Sequence, residues 1–202
     1  MTMTYDKNQE WVLKMQPYAI NQHYNRFWPD AKIISLDDDT TNELKNILDV
    51  SGADKLLKWP NGTISFLAQR FRRWGQRKFD DFTLRKTGSY GGKGEIYKVI
   101  DAIDNNKIVS SFYAYGHVNE NENGFIRFRI IDYKYFLQLW KDNIINPPIE
   151  IPNKNRQNLF FKWPFNKIPD ECILYQYPQL FKQLKLGVPN LDGTIKSNGM
   201  KK

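Results

Sequence analysis

With 202 residues, of which 41% are hydrophobic and 15% aromatic, the chain has enough apolar material for one substantial core, which excludes global disorder. No run approaches the ~20 apolar residues of a membrane helix, and the start MTMTYDKNQEWVLKMQ lacks the basic and apolar regions of a signal peptide. A single cysteine, Cys172, excludes an internal disulfide and a cysteine-cluster metal site, so a cytoplasmic, membrane-free protein is expected, while the formal charge of +8 favours an anionic partner, nucleic acid above all.

The first thirty residues hold Trp11, Tyr18, Tyr24, Phe27 and Trp28, which predicts a short helix and a packed extension rather than a loose arm. SLDDDTTNELKNILDVSG then reads as a helix. Thr40 and Glu43 fit a capping box, Leu44, Ile47 and Leu48 share one face, and Gly52 stops it. ADKLLKW and TISFLAQRFRRW predict two strands joined by a turn at Pro60-Asn61-Gly62. FDDFTLRK predicts a third strand.

After the glycine-rich stretch Gly88–Gly94, Ile96, Val99, Ile100 and Ile103 fall at helical spacing. KIVSSFYAYGHV and GFIRFRIID predict two more strands, and YKYFLQLWKD a closing helix. The expected fold is α+β, with a mixed central sheet in αβββαββα order. Residues 1–32 form an aromatic extension packed on an α/β core at 33–146. Residues 147–202, richer in proline and asparagine, are expected to make a mostly irregular wrap with a short helix near Gln179–Leu184 and a disordered end.

Arginine is dense from Gln69 to Lys86. Alternation along a strand sets Arg70 and Arg72 on one face and Gln69 and Phe71 on the other, with Arg73, Arg77, Lys78, Arg85 and Lys86 close by. Guanidinium groups bind phosphate through two parallel hydrogen bonds, and interleaved aromatics stack on bases, so these residues and Lys93 are candidate nucleic-acid contacts. A solvated sheet face with arginine stems over apolar surface is the plainer alternative.

The hairpin turn at Asn61-Gly62 also brings Asp54, at the start of one strand, beside residues 68–70 of the next. A carboxylate, a second oxygen donor and a cation gathered there are what metal-assisted phosphodiester hydrolysis requires. The glycine-rich stretch fails the phosphate-loop spacing, with Thr87 where the first glycine belongs. Neither His23 nor His117 has a partner at ligand spacing.

A helix bearing Glu43, then Asp54, an Asn-Gly turn, a strand carrying Gln69-Arg70, a further strand, a helix and another strand together resemble the PD-(D/E)XK nuclease superfamily, over residues 36–131. The resemblance implies a restriction-endonuclease-like αβββαβ core and Mg²⁺-dependent cleavage of nucleic acid. Asp54 is then the metal-binding aspartate and Glu43 an accessory acid on the helix. The acid of the acid-x-Lys motif falls on Ala68 if Arg70 stands for the lysine, or on Gln69 with Phe71 in the lysine position. Glu95, opening the next helix, is a displaced acid in either register. The expectation is an Mg²⁺-dependent endonuclease acting on nucleic acid, DNA ahead of RNA, with room for a homodimer. The alternative is a non-catalytic nucleic-acid-binding or interaction module that keeps the fold.

Overall fold

The computed structural model describes residues 5–36, 52–76, 78–87, 92–152 and 158–178. Three helices, α1 (Tyr5–Ala19), α2 (Glu95–Asp104) and α3 (Tyr133–Lys141), accompany nine strands among these residues. The strands are β1 (Lys32–Ser35), β2 (Lys55–Lys58), β3 (Ile64–Arg72), β4 (Asp81–Arg85), β5 (Phe112–Val118), β6 (Phe125–Asp132), β7 (Ile149–Pro152), β8 (Leu159–Pro164) and β9 (Ile173–Tyr177). The fold is mixed α+β. A six-stranded open sheet runs β1-β2-β3-β5-β6-β9, and a second sheet runs β4-β8-β7. No helix among the described residues is long and apolar enough to cross a membrane.

The hairpin of β2 and β3 forms where Asn61-Gly62 predicts it. Gly62 takes φ +83°, which a side chain would resist, and Asn61 Oδ1 accepts the Thr63 amide at 3.0 Å. β3 then pairs in parallel with β5, Arg70 opposite Tyr115, and α2 lies on the crossover between them. Asp132 caps α3 by accepting the Tyr135 amide at 3.0 Å.

Strand alternation splits the six-stranded sheet into two unlike faces. Leu57, Leu67, Phe71, Ala114, Val118, Phe128 and Ile130 pack with Trp11, Met15 and Tyr24 of the N-terminal segment. Ala68, Tyr113, Tyr115 and Ile131 face the other way, onto Phe82, Leu84, Phe161 and Trp163 of the small sheet and the apolar sides of α2 and α3. Trp11, Met15, Tyr24 and Trp28 of the N-terminal segment thus share the core on one side of the sheet.

Three expectations need correction. FDDFTLRK does form a strand, β4, but it leaves the main sheet and pairs with β8 from the C-terminal part. Asp81 to Leu84 are buried throughout, because β4 is covered on both faces. Lys32–Ser35, four residues that begin three positions after Pro29, makes a further strand at the sheet edge.

The span from residue 147 is no irregular wrap in its described part. β7 and β8 complete the small sheet and β9 closes the large one against β6, so 147 does not divide core from extension. Pro152 and Pro164 sit at strand ends, where a missing amide costs no ladder bond. Residues 37–51 of the expected helix before Gly52, the expected helix near Gln179–Leu184 and the chain end lie outside the described residues.

Ion pairs join the two sheets. Arg129 of β6 donates from both terminal nitrogens to Asp80, at 2.6 and 3.2 Å, with its guanidinium 4.0 Å from the Phe165 ring centre. Arg72 of β3 lies 2.7 Å from Asp81 of β4, both side chains nearly buried.

Candidate functional site

The β2–β3 hairpin, the start of α2 and the end of β4 enclose an open cleft of about 570 Å³. Asp54, Gln69, Arg70, Arg85, Lys93, Glu95, Lys98 and Tyr113 all line it. The sequence expectation that Asp54 meets residues 68–70 thus holds in space, and Glu95 shares the cavity with them.

Asp54 immediately precedes β2. Its backbone amide donates to the Leu67 carbonyl at 2.9 Å, and its Oδ2 accepts the Gln69 amide at 2.6 Å. The carboxylate is therefore held by both main chain and side chain against the middle of β3. Gln69 itself points away. Its carboxamide oxygen accepts from the hydroxyl of buried Tyr24 at 3.1 Å, on the face covered by the N-terminal segment. Gln69 thus contributes a backbone donor to Asp54, and Glu95 is the better-placed second carboxyl oxygen source.

Glu95 is the first residue of α2, where the helix dipole favours an acid. Tyr113 donates to its Oε1 at 3.0 Å, and Arg70 reaches Oε2 at 3.2 Å. Burial, with Glu95 adding to it, pushes the Tyr113 hydroxyl well above its usual pKa. The phenol stays protonated and keeps donating.

Gly94 sets this arrangement. A Cβ there would lie 2.4 Å from the Arg85 carbonyl oxygen and 2.5 Å from the Lys86 carbonyl carbon, so only glycine lets the helix start approach β4 so closely.

The arginine-dense strand divides differently from the expected phosphate-facing row. Alternation holds, with Arg70 and Arg72 on one face, but that face looks onto the small sheet. Arg70 donates to the Thr83 carbonyl at 2.7 Å and Arg72 to Thr83 Oγ1 at 3.1 Å. Arg73 pairs with Glu122 at 3.3 Å and lies over the Trp11 ring. Lys86 is paired with Glu150 and Lys93 with Asp101. Arg85 and Lys98 are exposed and line the cleft, whereas Lys78 is exposed outside it beside Phe79. Lys98 stands one turn along α2 from Glu95, at i, i+3, and is a cleft cation outside the arginine-dense strand. Glu43 and Arg77 lie outside the described residues.

A divalent cation is implied by the resemblance, and the donor chemistry decides whether one fits. Mg²⁺ takes one or two carboxylates and completes its shell with waters and phosphate oxygens. Asp54 and Glu95 are the two carboxylates among the residues that line the cleft, and their oxygens are of the hard type that such an ion takes. Among the described residues no group of three or more His, Cys, Asp or Glu gathers, so these two would be the described protein ligands.

Arg70, Arg85, Lys93 and Lys98 outnumber the two acids, so the cleft carries a net positive lining suited to a phosphate backbone. Comparison with family models, with curated proteins and with solved structures finds no match to this chain.

Proposed function

We propose that this chain is a nucleic-acid-binding phosphodiesterase of nuclease-like architecture, with its active site in the Asp54–Glu95 cleft. One observation carries the reading: a β2–β3 hairpin, a helix crossover and a parallel β5 bring Asp54 and Glu95 into a single basic cavity. That order resembles part of the αβββαβ core of the PD-(D/E)XK superfamily, with β2 and β3 as two of its strands and β5 following the helix, while β4, the expected third strand, pairs with the small sheet.

The chain's own residues divide the work. Arg85 and Lys98 hold the phosphate backbone as fork and point cations respectively. The Gln69 amide fixes the Asp54 carboxylate in one orientation. Arg70 positions Glu95 from the Thr83 carbonyl and so acts through it rather than on phosphate. A bound Mg²⁺, held by Asp54 and Glu95, would supply a nucleophilic water and neutralise developing charge. Arginine at position 70 replaces the lysine of the motif and cannot exchange a proton, so proton transfer is left to solvent or to Lys98.

A second reading rests on Glu95. Both its oxygens already accept hydrogen bonds, from Tyr113 and Arg70, as in a site that keeps its frame for binding without cleavage. Incubating the purified chain with single- and double-stranded DNA and RNA in Mg²⁺ or Mn²⁺ separates the two. Cation-dependent cleavage supports the enzyme, and salt-sensitive retention without cleavage supports the binder.

A further inference from the structure

A second cleft, of about 410 Å³, opens beside the end of the N-terminal helix, where the β5–β6 turn and the end of β9 meet it. Here α1 widens into a π-helical turn over Ile20–Tyr24, a deviation that recurs at functional sites. The wider turn buries His23 and Tyr24 and leaves Asn21, Gln22 and Arg26 exposed at the cleft.

His23 lines the cleft from within the core. It is 2% exposed, and its ring lies parallel to Phe128 with 4.1 Å between centroids. Nδ1 is 3.1 Å from the Tyr175 hydroxyl, whereas buried Nε2 has no hydrogen-bond partner among the described residues. Burial, and then Arg26, hold its pKa down to about 4, so the ring is neutral near pH 7. A buried ring nitrogen left without a partner calls for an explanation.

The groups that line the cleft indicate what it would hold. Asn21 and Gln22 line the wall with carboxamides, groups that carry a donor and an acceptor side by side. That pairing matches the hydrogen-bonding edge of a nucleobase. Gln22 Nε2 donates to the Asn123 carbonyl at 3.3 Å, a contact that a guest would replace, and Asn123 Oδ1 already accepts from Asn119 at 2.6 Å. Tyr177, 37% exposed at the rim, offers a ring for stacking. Arg26 adds a cation at the mouth. The volume lies within the range of small-ligand sites, and the polar walls disfavour an apolar guest.

We propose that this cleft binds one unstacked nucleobase, stacked on Tyr177 and read by the carboxamides of Asn21 and Gln22, with Arg26 near its phosphate. The proposal rests on the nucleic-acid reading above and adds a base-recognition subsite separate from the Asp54 cleft.

The test titrates adenosine, guanosine, cytidine and uridine 5′-monophosphates into the full chain labelled at its histidines, with ribose 5-phosphate as the base-free control and no divalent cation present. At least one nucleotide is expected to shift the His23 ring signals, to leave those of His117 in place, and to bind about tenfold more tightly than ribose 5-phosphate. Tyr177→Leu and, independently, the surface change Asn21→Asp each weaken that binding by about fivefold or more. Equal binding of ribose 5-phosphate, an unmoved His23 signal, or unchanged affinity in both variants overturns the proposal. Because the readout is metal-free binding at His23, its failure leaves the Asp54 cleft untouched, and loss of cleavage activity leaves this result untouched.

Discussion

The backbone amide of Gln69 donates to Oδ2 of Asp54 at 2.6 Å, fastening the carboxylate that opens β2 to the middle of β3. A short, charge-assisted bond of this kind fixes the orientation of an acid before any ligand arrives. Its existence follows from hairpin register alone, since Lys55 pairs with Leu67 and sets Asp54 next to residues 68 and 69. The consequences are open to measurement.

Gly94→Ala is expected to destabilise the protein by about 2–3 kcal/mol. The new Cβ meets backbone atoms of Arg85 and Lys86, which have no flexible end to swing away. Urea unfolding gives the stability. Oligonucleotide affinity should fall in parallel, because the start of α2 carries Glu95 and Lys98.

Replacing Arg70 by lysine keeps the charge but not the fork that spans the Thr83 carbonyl and Glu95. A loss of about 2 kcal/mol is expected for Arg70→Lys, and about 3 kcal/mol for Arg70→Ala, which leaves a part-buried carboxylate facing Tyr113 alone. A double-mutant cycle with Glu95→Gln should show strong coupling. Additive losses would mean that the two residues act separately.

Both histidines make stability depend on pH in one direction. Burial, with Arg26 at His23 and with Arg72 and Arg127 at His117, lowers each pKa from 6.5 to about 4. Below pH 6.5 the unfolded chain takes up protons that the folded rings refuse, so stability is full above that value and falls as pH drops towards 4. The loss is on the order of 3 kcal/mol per ring. Chemical denaturation from pH 7.5 to 4 checks it, and His117→Gln should flatten the curve. Asp80 adds to the loss at still lower pH. Burial opposes its charge, but the bonds from Arg129 and Arg127 win and lower its pKa, so that stabilisation disappears as pH falls through the folded value.

Salt dependence identifies which cations touch phosphate. Arg85→Ala and Lys98→Ala should each reduce the slope of log affinity against log salt by about 1. Arg73→Ala should leave the slope unchanged, since Arg73 is committed to Glu122 and Trp11. Fluorescence anisotropy at several salt concentrations distinguishes these outcomes.

The local parts of this fold are legible in the residues, and the long-range ones are not. Asn61-Gly62 announces its hairpin, and the spacing of Ile96, Val99 and Ile103 announces α2. The alternation from Gln69 to Arg72 sorts side chains onto the correct faces, yet nothing in it says that the arginine face meets a second sheet. That depends on β4 pairing with β8, strands separated by more than seventy residues. Leu159–Pro164 does alternate, with Phe161 and Trp163 buried and Lys162 between them, but proline and asparagine at its borders obscure the signal. At the cleft, Asp54 and Glu95 were legible as separate candidates. The far-face bond of Gln69 to Tyr24 was not, because it depends on where the N-terminal segment docks.

Cleavage by Asp54→Asn against the unaltered chain tests the central claim most directly. Asparagine can still accept the Gln69 amide, so the fold and its unfolding midpoint should stay near those of the original. With end-labelled DNA and Mg²⁺ or Mn²⁺, the account predicts cation-dependent cleavage by the original chain and a loss of about a hundredfold or more in the variant. Equal cleavage by both proteins, or none by the original with either cation, would contradict it.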